Sequence, residues 1–547
     1  MKPIFRSSKI LLLGLAIWLL IAIFIRPMSV PDEGRYGDIS RWMYESGDWL
    51  IPRLNGIPFM HKPPLLHWLT ASLMEIFGVH TWVARVVPAL AGIMMLVSLF
   101  IFTKKYINEK VAQISVIILG TGLLFYGCAE YINHDILVAS WITLTVFCFA
   151  DFILSGKKTI LFLGYFACAC AFLSKGLIGI LIPGMIILPW MLYIGQWKKI
   201  PATLNPLGLL LFCFVALPWV FVVQQHYPNF LHYFFIEQQF SRFNSGEFNN
   251  KQGWYFYAAL LFVNFLPIIL VNGFKLPNQE VRGQTSNAIF SLMVWWAISV
   301  LVFFSIPPSK LAGYILPSIA PFTVIFALIT NHVIERDKIN KWQIYALPAL
   351  IFTLASALII VPFTMHKNID FYQTEKFQIF AVAGCAIFIT NLLLFFFKKH
   401  KLEFFSFVFS CMVILCVMTS SSVKFFDVKS NSNQVNFVQN VPQNVPVIFY
   451  DNYYYDVPFL LNLENPVYVV KDWGKVKTDS SSLELKDGLL FEPNKAQNLW
   501  SFSQFDQAIQ SKQKFVVFAN AGDVKLDPKQ THFQVQHYRN FDMFIIN

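Results

Sequence analysis

Long apolar runs, each near the length of a bilayer crossing, restrict what this chain can fold into. They fall near residues 10–26, 82–102, 111–127, 136–150, 159–173, 177–194, 206–223, 254–271, 287–305, 312–331, 343–363, 377–397 and 403–420. A transmembrane helix needs about 20 mainly apolar residues, so the pattern predicts about thirteen spans, the shorter ones tilted or in locally thinned bilayer. Composition agrees. The chain is 56% hydrophobic and only 13% charged, where soluble domains carry about a quarter charged residues. A large soluble enzyme is excluded. The formal net charge of +11 would suggest nucleic acid in a soluble protein. Here the basic residues cluster at the ends of apolar runs, which points to membrane topology instead and to no nucleic-acid partner.

The N-terminus is basic (Lys2, Arg6, Lys9), then apolar from Ile10 to Ile25. Arg26, Pro27 and Met28 follow, with no small-residue cleavage site, so the run reads as an uncleaved first span. With the N-terminus in the cytoplasm, the cytoplasmic loops hold Lys104, Lys105 and Lys110; Lys157 and Lys158; Lys198 and Lys199; Lys275 and Arg282; Arg336, Lys338 and Lys341; Lys398, Lys399 and Lys401. The short outer loops near 128–135, 174–176 and 306–311 hold one cation or none. An odd span number then places the tail after Ser421 outside. The 8 cysteines all fall in or beside apolar segments. They read as small core hydrophobes, with neither a disulfide framework nor a cysteine metal site.

The pattern divides the chain into a membrane domain, 1–420, and a polar tail, 421–547. The membrane domain carries two long outer loops, 27–81 and 224–253. The tail has strand-like runs at Val445–Tyr450, Val467–Val470, Phe515–Ala519 and Phe541–Ile546, and helical periodicity near Ser501–Gln510. A small α/β domain of about 120 residues fits it.

The first outer loop is unlike a passive connector. It holds Asp32, Glu33, Arg35 and Tyr36, then Asp38, Arg41, Glu45 and Asp48, then His61 and Lys62 before Pro63-Pro64. Ile39, Trp42 and Met43 share one helical face, with Asp38, Arg41 and Glu45 largely off it, which predicts an amphipathic helix along the interface. Asp135 opens the fourth span on the same side; a helix N-cap is its bland alternative. Lys175 and Lys310 are each the only cation of a short outer loop, with snorkelling to headgroups as their bland alternative. Arg242 lies in the second long outer loop. Carboxylates (Asp32, Glu33, Asp135) and cations (Lys62, Lys175, Arg242, Lys310) therefore gather on one side of the membrane. Cations at headgroup depth suit a lipid phosphate, and carboxylates suit general-base work or cation binding. Nucleotide-binding fingerprints are absent. An energised substrate that needs no nucleotide on the outer face points to a polyprenyl-phosphate-linked donor.

At these residues the chain resembles the GT-C membrane glycosyltransferases that use polyprenyl-phosphate sugars. The likeness is to the 4-amino-4-deoxy-L-arabinose lipid A transferases, with the protein O-mannosyltransferases as wider relatives. It is carried by PDEGRYGDISRWMYESGDWLIPRLNGIPFMHKPPLLHWL, VARVVPALAG, NHDILVAS, LSKGLIGI, the RF pair at 242–243 and PPSKLAGYILPSIAPF. The resemblance implies a polytopic all-α membrane domain of GT-C type, with about thirteen transmembrane helices, periplasmic interfacial helices and a small C-terminal α/β periplasmic domain. It implies that Asp32 is the catalytic acid, with Glu33 beside it, and that Asp135 is a second functional acid. Lys62, Arg242 and Tyr314 match positions that hold the carrier phosphate. Lys310 sits beside them, and Arg35, Tyr36 and Lys175 complete the expected substrate-binding set. Two departures stand out. The family has Glu before the lysine of its EKP motif where this chain has His61. It often has His shortly before the RF pair, where this chain has Gln238 and Gln239. Those family positions are linked to a divalent cation. No cofactor carries over with certainty, and His61 with Glu33 is the candidate metal pair.

The expected activity is inverting transfer of a sugar, 4-amino-4-deoxy-L-arabinose by the resemblance, from undecaprenyl phosphate to a lipid A phosphate. It would take place at the periplasmic face of a bacterial inner membrane, as in polymyxin resistance. Two other readings stand beside it. One is the same chemistry with a hexosamine or mannose, delivered to lipid A, another glycan or protein. The other is a transporter or flippase, which the lack of an internal repeat and the one-sided charges disfavour.

Overall fold

The computed structural model describes residues 7–241, 251–273, 279–335, 340–364, 369–398, 403–426, 441, 445–476, 482–511, 513–524, 533–537 and 541–546. The chain forms two compact units. One is built from Met1–Arg26, Pro88–Pro218 and Gln252–Phe426, the other from Pro27–Val87, Trp219–Lys251 and Asp427–Asn547.

The chain is a multi-pass membrane protein. Among the described residues, 9 helices are long and apolar enough to cross a bilayer, or up to 10 if a pair bent by 66° is one span. The bent pair, which follows α4 (Thr81–Tyr106), is α5 (Glu109–Gly120) and α6 (Leu123–Ala129). It breaks at Thr121-Gly122, where the Asn264 side chain accepts a hydrogen bond from the Leu124 amide. Three shorter apolar helices, α1 (Ser8–Ala22), α9 (Ile178–Tyr193) and Phe256–Asn272, fall on the remaining apolar runs. A fourth, α3 (Leu65–Phe77), lies within residues 27–81 and matches none of those runs. In the first unit, α7 (His134–Ser155) packs on α8 (Lys158–Lys175) and α9. The approach is close because Gly179 lies against the backbone of Ala171 and Phe172, where a Cβ would collide, and Gly164 faces Phe149, where a Cβ would crowd the ring at 3.1 Å. Large apolar side chains turn outward instead, among them Ile10, Phe214 and Phe377 at 72%, 76% and 82% exposed. Hydrocarbon is the solvent that suits them.

In the second unit residues 27–81 fold into helix α2 (Asp32–Ser46), a hairpin and α3. The hairpin pairs β1 (Arg53–Leu54) with β2 (Ile57–Pro58) across Asn55-Gly56, both at positive φ, the pairing a tight two-residue turn favours. The tail forms a six-stranded sheet in the order β5-β4-β3-β6-β8-β7. The strands are β3 (Val447–Tyr450), β4 (Tyr468–Val470), β5 (Leu499–Trp500), β6 (Phe515–Asn520), β7 (Phe533–His537) and β8 (Phe541–Ile546). β5, β4, β3 and β6 run parallel; β8 and β7 are antiparallel to their neighbours. Ile448, Val470, Val517 and Ile546 pack into its core with Phe505. Phe505 belongs to the helix Phe502–Gln510, which Ser501 and Gln504 open with a reciprocal cap. The strand runs read from the sequence fall on β3, β4, β6 and β8. β5 has only two residues and sets no period, and β7 alternates over only five residues, with Phe533 and Val535 its two apolar positions, too short a run to stand out in a polar tail.

Helix α2 corrects one expectation. Its charges were expected to lie off the buried face. Instead Asp38 and Arg41 are both fully buried. Arg41 is paired with Asp38 at 2.7 Å and with Glu45 at 2.5 Å, and it donates to the Leu463 carbonyl at 2.7 Å. The helix also passes so close to the tail that a Cβ on Gly34 would stand 2.6 Å from the Asp456 amide nitrogen. A helix covered on both faces keeps charge only where each charge has a partner.

Candidate active site

Polar chemistry gathers in each unit. In the first unit it lies at the start of α7. Asn133 is the helix cap there, accepting from the Ile136 amide at 2.9 Å. Capping therefore makes no demand on the Asp135 carboxylate. Asp135 forms an ion pair with Lys175, the last residue of α8. The Lys175 ammonium also sits 3.9 Å from the centre of the Tyr314 ring, a cation–π contact. His134 bonds the Ser174 carbonyl at 2.9 Å and so fixes the end of α8 against the start of α7. Asp135, Lys175 and Tyr314 come together, whereas the resemblance had set Tyr314 with Lys62 and Arg242.

Gly313 backs this group. A Cβ there would overlap the Asp135 carboxylate. Gly313→Ala should therefore push that carboxylate off Lys175. A shift of about 1 Å in a reacting group costs up to about 10²-fold, so we expect turnover to fall by that order while membrane insertion is unchanged. A turnover assay on the reconstituted variant checks this.

Lys310 is placed differently from expectation. It is 3% exposed, and its ammonium donates to the Gln252 carbonyl at 3.1 Å and to the Pro307 carbonyl. It ties its own loop together, and neither bland snorkelling nor an open phosphate contact describes it. Sequence reasoning also missed Arg26 and Glu130. They pair at 3.4 Å with side chains 3% exposed each, and Ser420 donates to both Glu130 oxygens. The available signal was an acid flanked by apolar segments, which is costly in a membrane and seldom idle.

In the second unit, Asp32 is the first residue of α2, where a carboxylate suits the positive end of the helix dipole. It pairs with Arg35 one turn on. Arg35 also pairs with Glu484 from the tail and stacks on the rings of Tyr36 and Tyr455, at 4.9 and 5.8 Å. Tyr455 donates to Glu484 at 2.9 Å and accepts from the Ser482 amide. Burial alone would push the Glu484 carboxyl up, but Arg35 and then His61 hold it below the usual carboxylate range. Glu484 is thus a charged neighbour of the site that the sequence did not reveal. Its surroundings, Leu483-Glu484-Leu485, look like any surface turn.

Glu33 is corrected. It is fully buried, bonded bidentately by Arg85 at 2.9 Å and by the Ser29 amide at 2.8 Å. It holds the entry to α2 in place. His61 takes other partners. It stacks on Phe59, bonds the Tyr233 hydroxyl at 2.9 Å and lies 3.4 Å from Asp487. Gln238 donates to the same hydroxyl at 2.9 Å. His61 and Gln238, both at positions where the chain departs from the family pattern, therefore meet at Tyr233. Burial, with Asp487 beside it, pushes the Tyr233 phenol well up, so it stays protonated and donates to Asp487 at 3.1 Å. His61 and Glu33 do not converge, and the described residues contain no group of three or more His, Cys, Asp or Glu placed to hold a metal ion. The candidate metal pair does not fit a cation. Lys62 follows His61 and is half-buried. Arg242, with Phe243, lies outside the described residues.

Comparison with known proteins bears on this arrangement. Residues 61–221 match the model of the dolichyl-phosphate-mannose-protein mannosyltransferase family. The chain also aligns over 98% of its length with the crystal structure of ArnT from Cupriavidus metallidurans bound to undecaprenyl phosphate, covering 97% of that chain at a TM-score of 0.77 and 22% identity. The chain has the fold of ArnT. Among curated sequences, an undecaprenyl phosphate-alpha-4-amino-4-deoxy-L-arabinose arabinosyl transferase of Enterobacter is 26% identical over 68% of each chain. One from Edwardsiella ictaluri is 30% identical over 54% of each. The resemblance read from the outer-loop motifs is borne out.

Proposed function

We propose that this chain is a glycosyltransferase of the bacterial inner membrane that moves 4-amino-4-deoxy-L-arabinose from undecaprenyl phosphate to a lipid A phosphate on the periplasmic face. One observation carries the reading. The two acids nominated by sequence, Asp32 and Asp135, each lie in the first turn of a helix beside a cation and stay partly exposed, at 30% and 17% of the side chain. Their neighbours Glu33 and Asp38 are fully buried. The names of the relatives supply the sugar and the carrier.

In this reading an oxygen of the acceptor phosphate attacks the anomeric carbon from the face opposite the carrier. The bond from that carbon to the carrier oxygen breaks, its electron pair leaves with undecaprenyl phosphate, and the configuration inverts. The acceptor oxygen is already anionic and needs little help from a base. Asp32 then orients the acceptor or holds the sugar's ammonium group. Lys62 and Arg242 hold the carrier phosphate and stabilise the charge that develops as it leaves. Lys175 and Tyr314 fix Asp135. Arg35 and Tyr36 shape the side of Asp32. The finer topology belongs to the same reading: thirteen spans counting α1, α9, the bent pair and Phe256–Asn272, a cytoplasmic N-terminus, and a domain boundary near 420 with the tail in the periplasm. The lysine pattern of the loops supports it.

The test is direct. Reconstituted protein given undecaprenyl-phosphate-linked aminoarabinose and lipid A should yield aminoarabinose-modified lipid A and free carrier; no product from folded protein removes the reading. In the same assay Lys62→Ala should raise the KM for the donor by about 10- to 100-fold, the value of one charged hydrogen bond. An unchanged KM takes Lys62 off the phosphate.

A further inference from the structure

Away from the polar groups, the first unit holds an apolar groove of about 230 Å³. Thr145 and Phe149 of α7, Tyr165 of α8, and Gly184 and Leu188 of α9 line it, and Leu204 and Leu209 close the far side. It is built rather than incidental. The Tyr165 hydroxyl donates to the Thr203 carbonyl at 2.6 Å and is thereby turned out of the groove. Gly208 lies flat on the Tyr165 ring, where any Cβ would collide. Gly184 leaves the space in front of it open, with nothing within 4 Å of where a Cβ would stand. Leu188 and Leu209 at the rim are 44% and 43% exposed, so the groove is open to hydrocarbon. A dry apolar space of this size suits an apolar guest, not water.

One end of these helices is strongly basic. Lys199 donates to the Ile153 carbonyl, which brings the turn Trp197–Lys199 beside the C-terminal end of α7. Lys157, Lys158 and Lys198 are exposed at that end, and Trp197 is 57% exposed with Lys198 5.7 Å from its ring. Asp151, the carboxylate of α7 nearby, is already paired with Lys105 at 2.6 Å. About 10 Å of helix rise separates Lys158 from Tyr165 in the groove. An exposed basic and aromatic band one or two turns from an apolar slot has the layout of a headgroup and its tail.

We propose that this groove binds one acyl chain of an anionic glycerophospholipid, with its phosphate against Lys158 and Lys198. The inference rests only on the chain spanning a bilayer, not on the transfer reaction. The carrier lipid is a poor occupant. Lys175 stands about 25 Å of rise from Lys158 along α8, so a phosphate at the Asp135 end and one at the lysine end are separate sites. The groove and the Asp135–Lys175 pair share α7 and α8, and a chain filling the groove braces those two helices against α9.

The test uses purified, delipidated full-length protein in detergent. Native mass spectrometry follows the addition of phosphatidylglycerol, phosphatidylcholine with the same chains, or undecaprenyl phosphate. We expect one tightly held phosphatidylglycerol, bound roughly tenfold or more better than phosphatidylcholine. The pair K158Q and K198Q should erase that preference. Gly184→Leu, which fills the groove, should weaken phosphatidylglycerol roughly tenfold or more, a few buried methylenes' worth. If that variant fails to fold, Thr145→Leu fills the same space from α7. Equal binding of the two phospholipids, unchanged binding in the filled variants, or displacement of phosphatidylglycerol by undecaprenyl phosphate would each overturn the proposal.

Discussion

Asp32→Asn should abolish sugar transfer while the protein still folds and inserts. The substitution keeps the shape of the side chain and removes its charge. Arg35 retains its pair with Glu484 and its two aromatic neighbours, so the start of α2 has no reason to move. What is lost is the one carboxylate of the second unit that is both nominated by sequence and partly open. If it orients the acceptor or the sugar's ammonium in the transition state, its loss costs about 10²–10⁴-fold in turnover. The readout is turnover in proteoliposomes alongside thermal unfolding. Wild-type turnover in a folded Asp32→Asn protein takes Asp32 out of the mechanism.

The second large effect is on stability. Arg85→Ala leaves the fully buried Glu33 carboxylate without its bidentate partner. Breaking such a pair from one side costs about 3–5 kcal/mol. Replacing both partners with apolar residues of similar size, Glu33→Leu with Arg85→Met, removes the orphaned charge and should recover most of that loss. Chemical denaturation of the single and double variants measures both numbers. The double variant also separates two roles for Glu33. If it is folded and active, Glu33 serves structure, as its surroundings indicate. If it is folded and inactive, the carboxylate takes part in the reaction and the structural assignment fails.

These two acids, adjacent in the chain, show what the sequence can and cannot disclose. Apolar runs and loop lysines report a physical necessity, since backbone in hydrocarbon must be helical and cations stay on one side. The helices therefore stand where those runs lie. The site motifs were legible because charge close to a bilayer is expensive and seldom idle. What the motif could not say is which way each side chain points. Glu33 and Asp32 look alike in sequence, yet one faces Arg85 in the interior and the other stays partly open. Nothing local shows that the Gln252 carbonyl, 58 residues away, lies in reach of Lys310. Glu484 and Asp487 sit more than four hundred residues from the loop they serve, and no periodicity announces contacts of that range. The cap at Asn133 was the opposite case. It is a local device, and it answers the question of whether Asp135 is only a cap.

The central claim is the transfer of an aminopentose onto lipid A. The most direct measurement is mass spectrometry of lipid A from otherwise identical cells with and without this protein. An added mass of one aminopentose on a lipid A phosphate is expected, present only with the protein and lost in Asp32→Asn. A hexosamine-sized increment would contradict the sugar, and lipid A unchanged in cells that make the folded protein would contradict the acceptor.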